Sequence, residues 1–97
     1  MRKNLDEHNV ENDKAANQYR IEIDGRIAFI QYSVNQNTIT LVHTEVPAGL
    51  EGRGIGSQLA RWVLEDVRRQ GLKVIPHCPF IIAFLKRHPE FNDLIAH

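Results

Sequence analysis

Apolar and polar residues follow a period of two in the first half of the chain and a helical period of about 3.6 in the second. Tyr19, Ile21 and Ile23 alternate with polar residues, the pattern of a half-buried strand. Asp24-Gly25 follows, a pair that tolerates the positive φ of a tight hairpin turn. Residues 26–34 are rich in β-branched and aromatic side chains, Asn35-Gln36-Asn37 marks a second turn, and residues 38–46 form a third predicted strand. Together they predict an antiparallel three-stranded meander.

The pattern changes at Pro47. A loop carrying Gly49, Gly52, Gly54 and Gly56 leads into a predicted helix over residues 55–70. Leu59, Ala60, Val63, Leu64 and Val67 share one face of it, with Arg61, Glu65, Arg68 and Arg69 opposite. Glu65 and Arg69 are spaced for an ion pair, and Gly71 supplies a left-handed stop. Residues 73–77 predict a short fourth strand, and Pro79 suits the first turn of a second helix. Lys86, Arg87 and His88 occupy its last turn before Pro89. Phe80, Ile81, Phe84 and Leu85 are core candidates on this helix, and Trp62 sits at the border of the first helix's apolar face. Residues 1–17 are charged with almost no apolar content, so they are predicted to be a disordered tail ahead of a packed domain over residues 18–97. The expected fold is α/β: the meander, a long helix, a fourth strand parallel to the third, and a short C-terminal helix. The third and fourth strands are expected to part near their C-terminal ends.

Composition narrows the classes. Twelve basic and twelve acidic residues balance, which argues against a general attraction to nucleic acid or to an anionic membrane. No apolar run approaches the ~20 residues that span a bilayer, and residues 1–17 lack the apolar centre of a secretory signal. Cys78 is the sole cysteine, which excludes an intramolecular disulfide and points to a reducing cytoplasm. The histidines and Cys78 show no chelating spacing, so no metal site is expected.

The sharpest chemical signal is Glu51-Gly52-Arg53-Gly54-Ile55-Gly56-Ser57, between a strand and an amphipathic helix. A helix start presents about four unpaired N–H groups and roughly half a positive charge. Glycines let an anion approach those donors, and Arg53 adds a cation beside them. A Walker A loop requires a lysine that is missing here. A dinucleotide fingerprint requires a small residue at Leu59 and a βαβ context, and this loop follows a meander.

The loop resembles the pyrophosphate loop of the GNAT superfamily of acetyltransferases, Arg/Gln-x-x-Gly-x-Gly/Ala before a helix. Gly54 and Gly56 match, while Glu51 stands where the family has Arg or Gln, which leaves Arg53 as the candidate for the electrostatic role. The likeness sharpens to very small GNAT-like domains through His43-Thr44-Glu45-Val46, Pro76-His77-Cys78-Pro79-Phe80 and His88-Pro89-Glu90-Phe91, and it covers residues 19–94. The resemblance implies acetyl-CoA bound between splayed strands, with pantetheine pairing near Glu45 and Val46. Gly52, Arg53, Gly54, Ile55, Gly56 and Ser57 would hold the pyrophosphate, with Pro79 and Phe80 beside the thioester arm. The thioester carbonyl would lie near Val46.

Three residues are candidates for chemistry. The resemblance places Cys78 near the thioester as an acyl acceptor; the alternative is a small buried residue closing a strand-to-helix turn. His43 and Glu45 share a face by strand alternation, and either suits the base that takes a proton from an attacking amine. That face also holds Ile39 and Leu41, so His43 is alternatively a histidine at the edge of the core. Lys86, Arg87 and His88 either complement the helix dipole or reach the CoA 3′-phosphate. The implied function is acetyl transfer from acetyl-CoA to an amine, on a small molecule or a protein lysine. The competing expectation is an acyl-CoA-binding or sensing module without turnover.

Overall fold

The computed structural model describes residues 10–50, 52 and 54–96. The elements in chain order are β1 (Val10–Asp13), β2 (Gln18–Ile23), β3 (Arg26–Asn35), β4 (Thr38–Glu45), α1 (Ile55–Gln70), β5 (Lys73–Pro76), α2 (Pro79–Arg87) and a closing 3₁₀ helix (Pro89–Leu94). The strands lie in one sheet in the order β1-β2-β3-β4-β5. The first four are antiparallel neighbours, and β5 runs parallel to β4. A parallel pair requires a crossover, which α1 supplies. This is the expected α/β architecture with one more strand.

The additional strand lies inside the segment predicted to be a tail. Val10 to Asp13 pair with Ile21 to Gln18, so the expectation of disorder fails from residue 10 onward. The earlier part of that expectation, residues 1–9, lies outside the described residues. What holds β1 is largely polar. The Tyr32 hydroxyl donates to Asn12 Oδ1, Arg20 reaches Asp13 at 3.3 Å, and Val10 packs on the edge of the core. Backbone pairing and two side-chain anchors therefore order a segment whose apolar content alone predicts none.

The core lies between one sheet face and the helices. Tyr19, Ile21, Ala28, Ile30, Ile39 and Leu41 are buried from the sheet, and Leu59, Ala60, Val63, Leu64 and Val67 from α1. Ile81, Phe84 and Leu85 of α2 and Phe91 and Leu94 of the 3₁₀ helix complete it. The period-2 and period-3.6 patterns thus meet face to face, as a two-layer domain requires. Arg69 pairs with Asp66 at 2.8 Å, one residue along from the expected Glu65. His88 caps α2, stacks on Phe84 at 4.1 Å between ring centres, and lies 3.2 Å from Arg61, which commits it to the helix junction. No helix among the described residues is long and apolar enough to cross a membrane.

Candidate active site

The splay of β4 from β5 creates the site. Their pairing runs from Thr38–Lys73 to Leu41–Pro76 and stops. The Leu41 carbonyl accepts from both His77 N at 3.1 Å and Cys78 N at 3.0 Å, which turns the chain away from β4. Cys78 is extended at φ −74° and ψ 126° and caps α2, with Pro79 at the start of the helix as its fixed φ favours. Beyond Leu41, β4 continues to Glu45 without a β5 partner. The opening is a cavity of about 450 Å³ beneath the start of α1. One wall is apolar, made by Val46, Leu50, Ile55 and Phe80, and the other is the loop of Gly52, Gly54, Gly56 and Ser57.

The loop wall presents backbone donors without side-chain caps. Gly54 is the N-cap of α1 at φ 76°, in the left-handed region, and no side chain caps the helix. The first main-chain bond runs from Gln58 N to Gly54 O at 3.0 Å, so the N–H groups of Ile55, Gly56 and Ser57 have no intrahelical acceptor. No acidic residue lies in the first turn. A Cβ added at Gly54 would meet nothing within 4 Å, which leaves the donors open. Gly56 serves a different end: a Cβ there would lie 2.9 Å from Phe80 Cζ and 3.3 Å from Val46 Cγ2. Its missing side chain lets the α2 ring and the end of β4 close the apolar wall. The result is a set of free helix-start amides beside an apolar wall, an arrangement that could hold an anionic group with an apolar extension.

A β-bulge decides which β4 side chains reach this cavity. Gln31 pairs with His43 and Tyr32 with Leu41, so Val42 is left over on β4. An unpaired residue resets the alternation of faces. Ile39 and Leu41 are buried, whereas the side chains of His43 and Glu45 are 55% and 61% exposed on the outer face. The expectation that His43 shares a face with Ile39 and Leu41 is therefore corrected. His43 and Glu45 do lie together, with Nε2 3.2 Å from Oε1, and the Phe29 ring is 6.0 Å from the imidazole. Thr44 turns inward instead and lines the cavity.

Seven expected residues meet at the cavity: Val46, Gly52, Gly54, Ile55, Gly56, Ser57 and Phe80. Glu45 and Pro79 do not line it; Glu45 faces outward and Pro79 is exposed. Glu51 and Arg53 lie outside the described residues. Cys78 stands one hydrogen bond behind the wall, 3% exposed, its Sγ donating to Thr44 Oγ1 at 3.1 Å. The sequence reading missed Thr44 and Leu50. Leu50 had a signal, a lone large apolar residue in a glycine-rich loop, and it is fully buried as the loop's anchor. Thr44 had none, because its direction depends on the bulge. Among the described residues, no three His, Cys, Asp or Glu side chains gather as a metal-binding set.

Comparison with known proteins agrees with this geometry. A family model described as GCN5-related N-acetyl-transferase matches residues 18–94. Protein NATD1 of Danio rerio is 33% identical over 93 residues, spanning 91% of this chain and 84% of its own length. Protein NATD1 of Homo sapiens is 32% identical over 83 residues, spanning 82% of this chain and 74% of its own. The solution NMR structure of a GCN5-like protein from Staphylococcus aureus superposes with a TM-score of 0.68 at 32% identity, covering 82% of this chain and 81% of that one. A β4–β5 splay over a glycine-rich helix start thus coincides with a match across nearly the whole described domain, and the chain belongs to the GCN5-related N-acetyltransferase family.

Proposed function

We propose that the protein moves an acetyl group from acetyl-CoA to an amine. The observation that carries this reading is the union of the α1 amide nest and the β4–β5 splay in one cavity. The N–H groups of Ile55, Gly56 and Ser57 would hold the pyrophosphate, with Gly52 and Gly54 leaving it room and Arg53 adding charge. Val46 and the end of β4 at Glu45 would offer backbone to the pantetheine, with Pro79 and Phe80 at its other side. A backbone N–H near Val46 would polarise the thioester carbonyl. Acetyl-CoA supplies the activated acyl carbon. His43 and Glu45 sit on the outer face, so ligand and acceptor would approach the acyl carbon from opposite sides of the splay.

The reaction balances with these groups. The His43–Glu45 pair takes one proton from the attacking ammonium. The amine nitrogen bonds to the acyl carbon as the carbon–sulfur bond breaks, and the proton released by amide formation neutralises the departing thiolate. The seclusion of Cys78 supports direct transfer over an acetyl-Cys78 route. An unpaired cysteine and this donor suit the cytoplasm. One observation favours the second reading, a binding or sensing module without turnover: the face carrying Gln31, Val42, His43 and Glu45 is exposed rather than enclosed among the described residues.

The test is a titration with acetyl-CoA and with free CoA, followed by backbone amide shifts and then by CoA thiol release in the presence of amines. Shifts centred on Val46, residues 54–57 and Phe80, saturating at millimolar ligand or below, are expected. Thiol release that depends on an amine separates the enzyme from the binding module, and Cys78→Ala that retains turnover excludes the covalent route. No shifts at saturating ligand would overturn the acyl-CoA reading.

A further inference from the structure

We infer that Thr44 reads the acyl carbonyl, and that Cys78 serves the site by orienting Thr44 rather than by accepting the acetyl group. The inference rests on the acyl-CoA reading above and goes beyond it to say what selects the acylated ligand.

A threonine hydroxyl has one hydrogen to donate and two lone pairs to accept. The bulge at Val42 turns Thr44 toward the cavity, and Cys78 Sγ donates to its oxygen from behind at 3.1 Å. Cys78 is buried, and Thr44 Oγ1 is the side-chain acceptor for its thiol. With a lone pair occupied from the core side, the hydroxyl hydrogen has no protein acceptor among the described residues. The open side of Thr44 is the cavity, whose neighbouring wall of Val46, Leu50, Ile55 and Phe80 offers no side-chain donor. The other hydroxyl on the lining, Ser57, sits with the amides at the start of α1. Thr44 is thus the side-chain donor available at the apolar end of the site.

A thioester carbonyl supplies the missing acceptor, and a free thiol does not. Thr44 therefore favours acetyl-CoA over CoA, which both selects the substrate and releases the product. Burial of this donor without a partner would be unfavourable in the product complex, which increases the discrimination.

Three ligands separate the possibilities: acetyl-CoA, CoA, and S-ethyl-CoA, a thioether with the same carbon count and no carbonyl. Calorimetric titration of the wild-type protein should give tighter binding of acetyl-CoA than of either other ligand, with about tenfold of the difference supplied by the Thr44 hydrogen bond. Thr44→Val and Thr44→Ala should lose about tenfold of that preference, keeping only what the backbone N–H near Val46 supplies, and Thr44→Ser should keep it in full. Cys78→Ala should lower it and Cys78→Ser, which retains a donor, should restore it. Equal binding of acetyl-CoA and S-ethyl-CoA by the wild type, a measurement that needs no variant to fold, would overturn the inference while leaving the acyl-CoA site intact. Mass spectrometry that found an acetyl group on Cys78 during turnover would overturn the role given to the thiol. Failure of all three ligands to bind would instead remove the acyl-CoA reading and this inference together.

Discussion

Alanine at Gly54 tests whether the start of α1 holds an anion, and Gly71 provides the control. Both glycines flank the same helix in left-handed conformation, at φ 76° and 73°, and a Cβ at either meets nothing within 4 Å. An L residue in that conformation costs about 1–2 kcal/mol, so the two variants carry matched backbone strain and no steric clash. Each kilocalorie lowers the Tm of a domain this size by about 4–8 °C. Gly54→Ala and Gly71→Ala should therefore melt at similarly reduced temperatures by far-ultraviolet circular dichroism. Their ligand affinities should part. Gly54 lines the cavity beside the free amides of Ile55, Gly56 and Ser57, and a methyl there would take up open space next to them. Holding a phosphate away from one charge-assisted hydrogen bond forfeits about 1.5–3 kcal/mol, or about a ten- to hundredfold rise in Kd for acetyl-CoA. Gly71→Ala should bind as wild type does. Equal affinity of the two variants by calorimetry would refute the nest as the anion site, whatever their shared loss of stability.

Tyr19 donates to Asp66 at 2.9 Å and accepts from Gln70, and burial followed by the Asp66 carboxylate pushes its phenol well above the usual value of 10.0. Its stabilising contribution is present below that pH and lost as the unfolded phenol ionises above it, so denaturant unfolding should show falling stability at alkaline pH. Tyr19→Phe should cost about 1 kcal/mol at neutral pH and flatten the alkaline fall, and an unchanged slope would refute the assignment. Tyr32→Phe removes the hydroxyl that anchors Asn12 and should speed amide exchange in β1 about fivefold, for a loss of about 1 kcal/mol, with the helices unaffected. Uniform acceleration across the fold would show that β1 is not a separately opening unit.

The elements that the sequence specifies are those with local causes. The limits of α1 follow from an amphipathic stripe closed at both ends by glycines that take left-handed angles. Pro79 marks the start of α2 for an equally local reason, its fixed φ and missing donor. The β2–β3 turn at Asp24 and Gly25 takes positive φ at both residues, as that dipeptide suggests. The amide nest is local too, since the donors belong to the backbone of the helix start and the glycines only uncover them.

Tertiary structure decided what depends on pairing between distant segments. β1 exists because β2 offers an edge and because Tyr32 and Arg20 reach back to Asn12 and Asp13, none of which alters the polarity of residues 10–13. The Val42 bulge is a property of the β3–β4 register, so no reading of β4 alone says that Thr44 faces the cavity while His43 faces outward. The turn that the Leu41 carbonyl imposes on His77 and Cys78 sets Cys78 behind Thr44, outside the cavity lining. Alternation along a strand is a local rule that holds only while the ladder is regular. One inserted residue reverses which side chains face the cavity, so the sequence by itself determined the α/β frame and the glycine-lined helix start, while the ladder decided β1 and the β4 side chains beside that start.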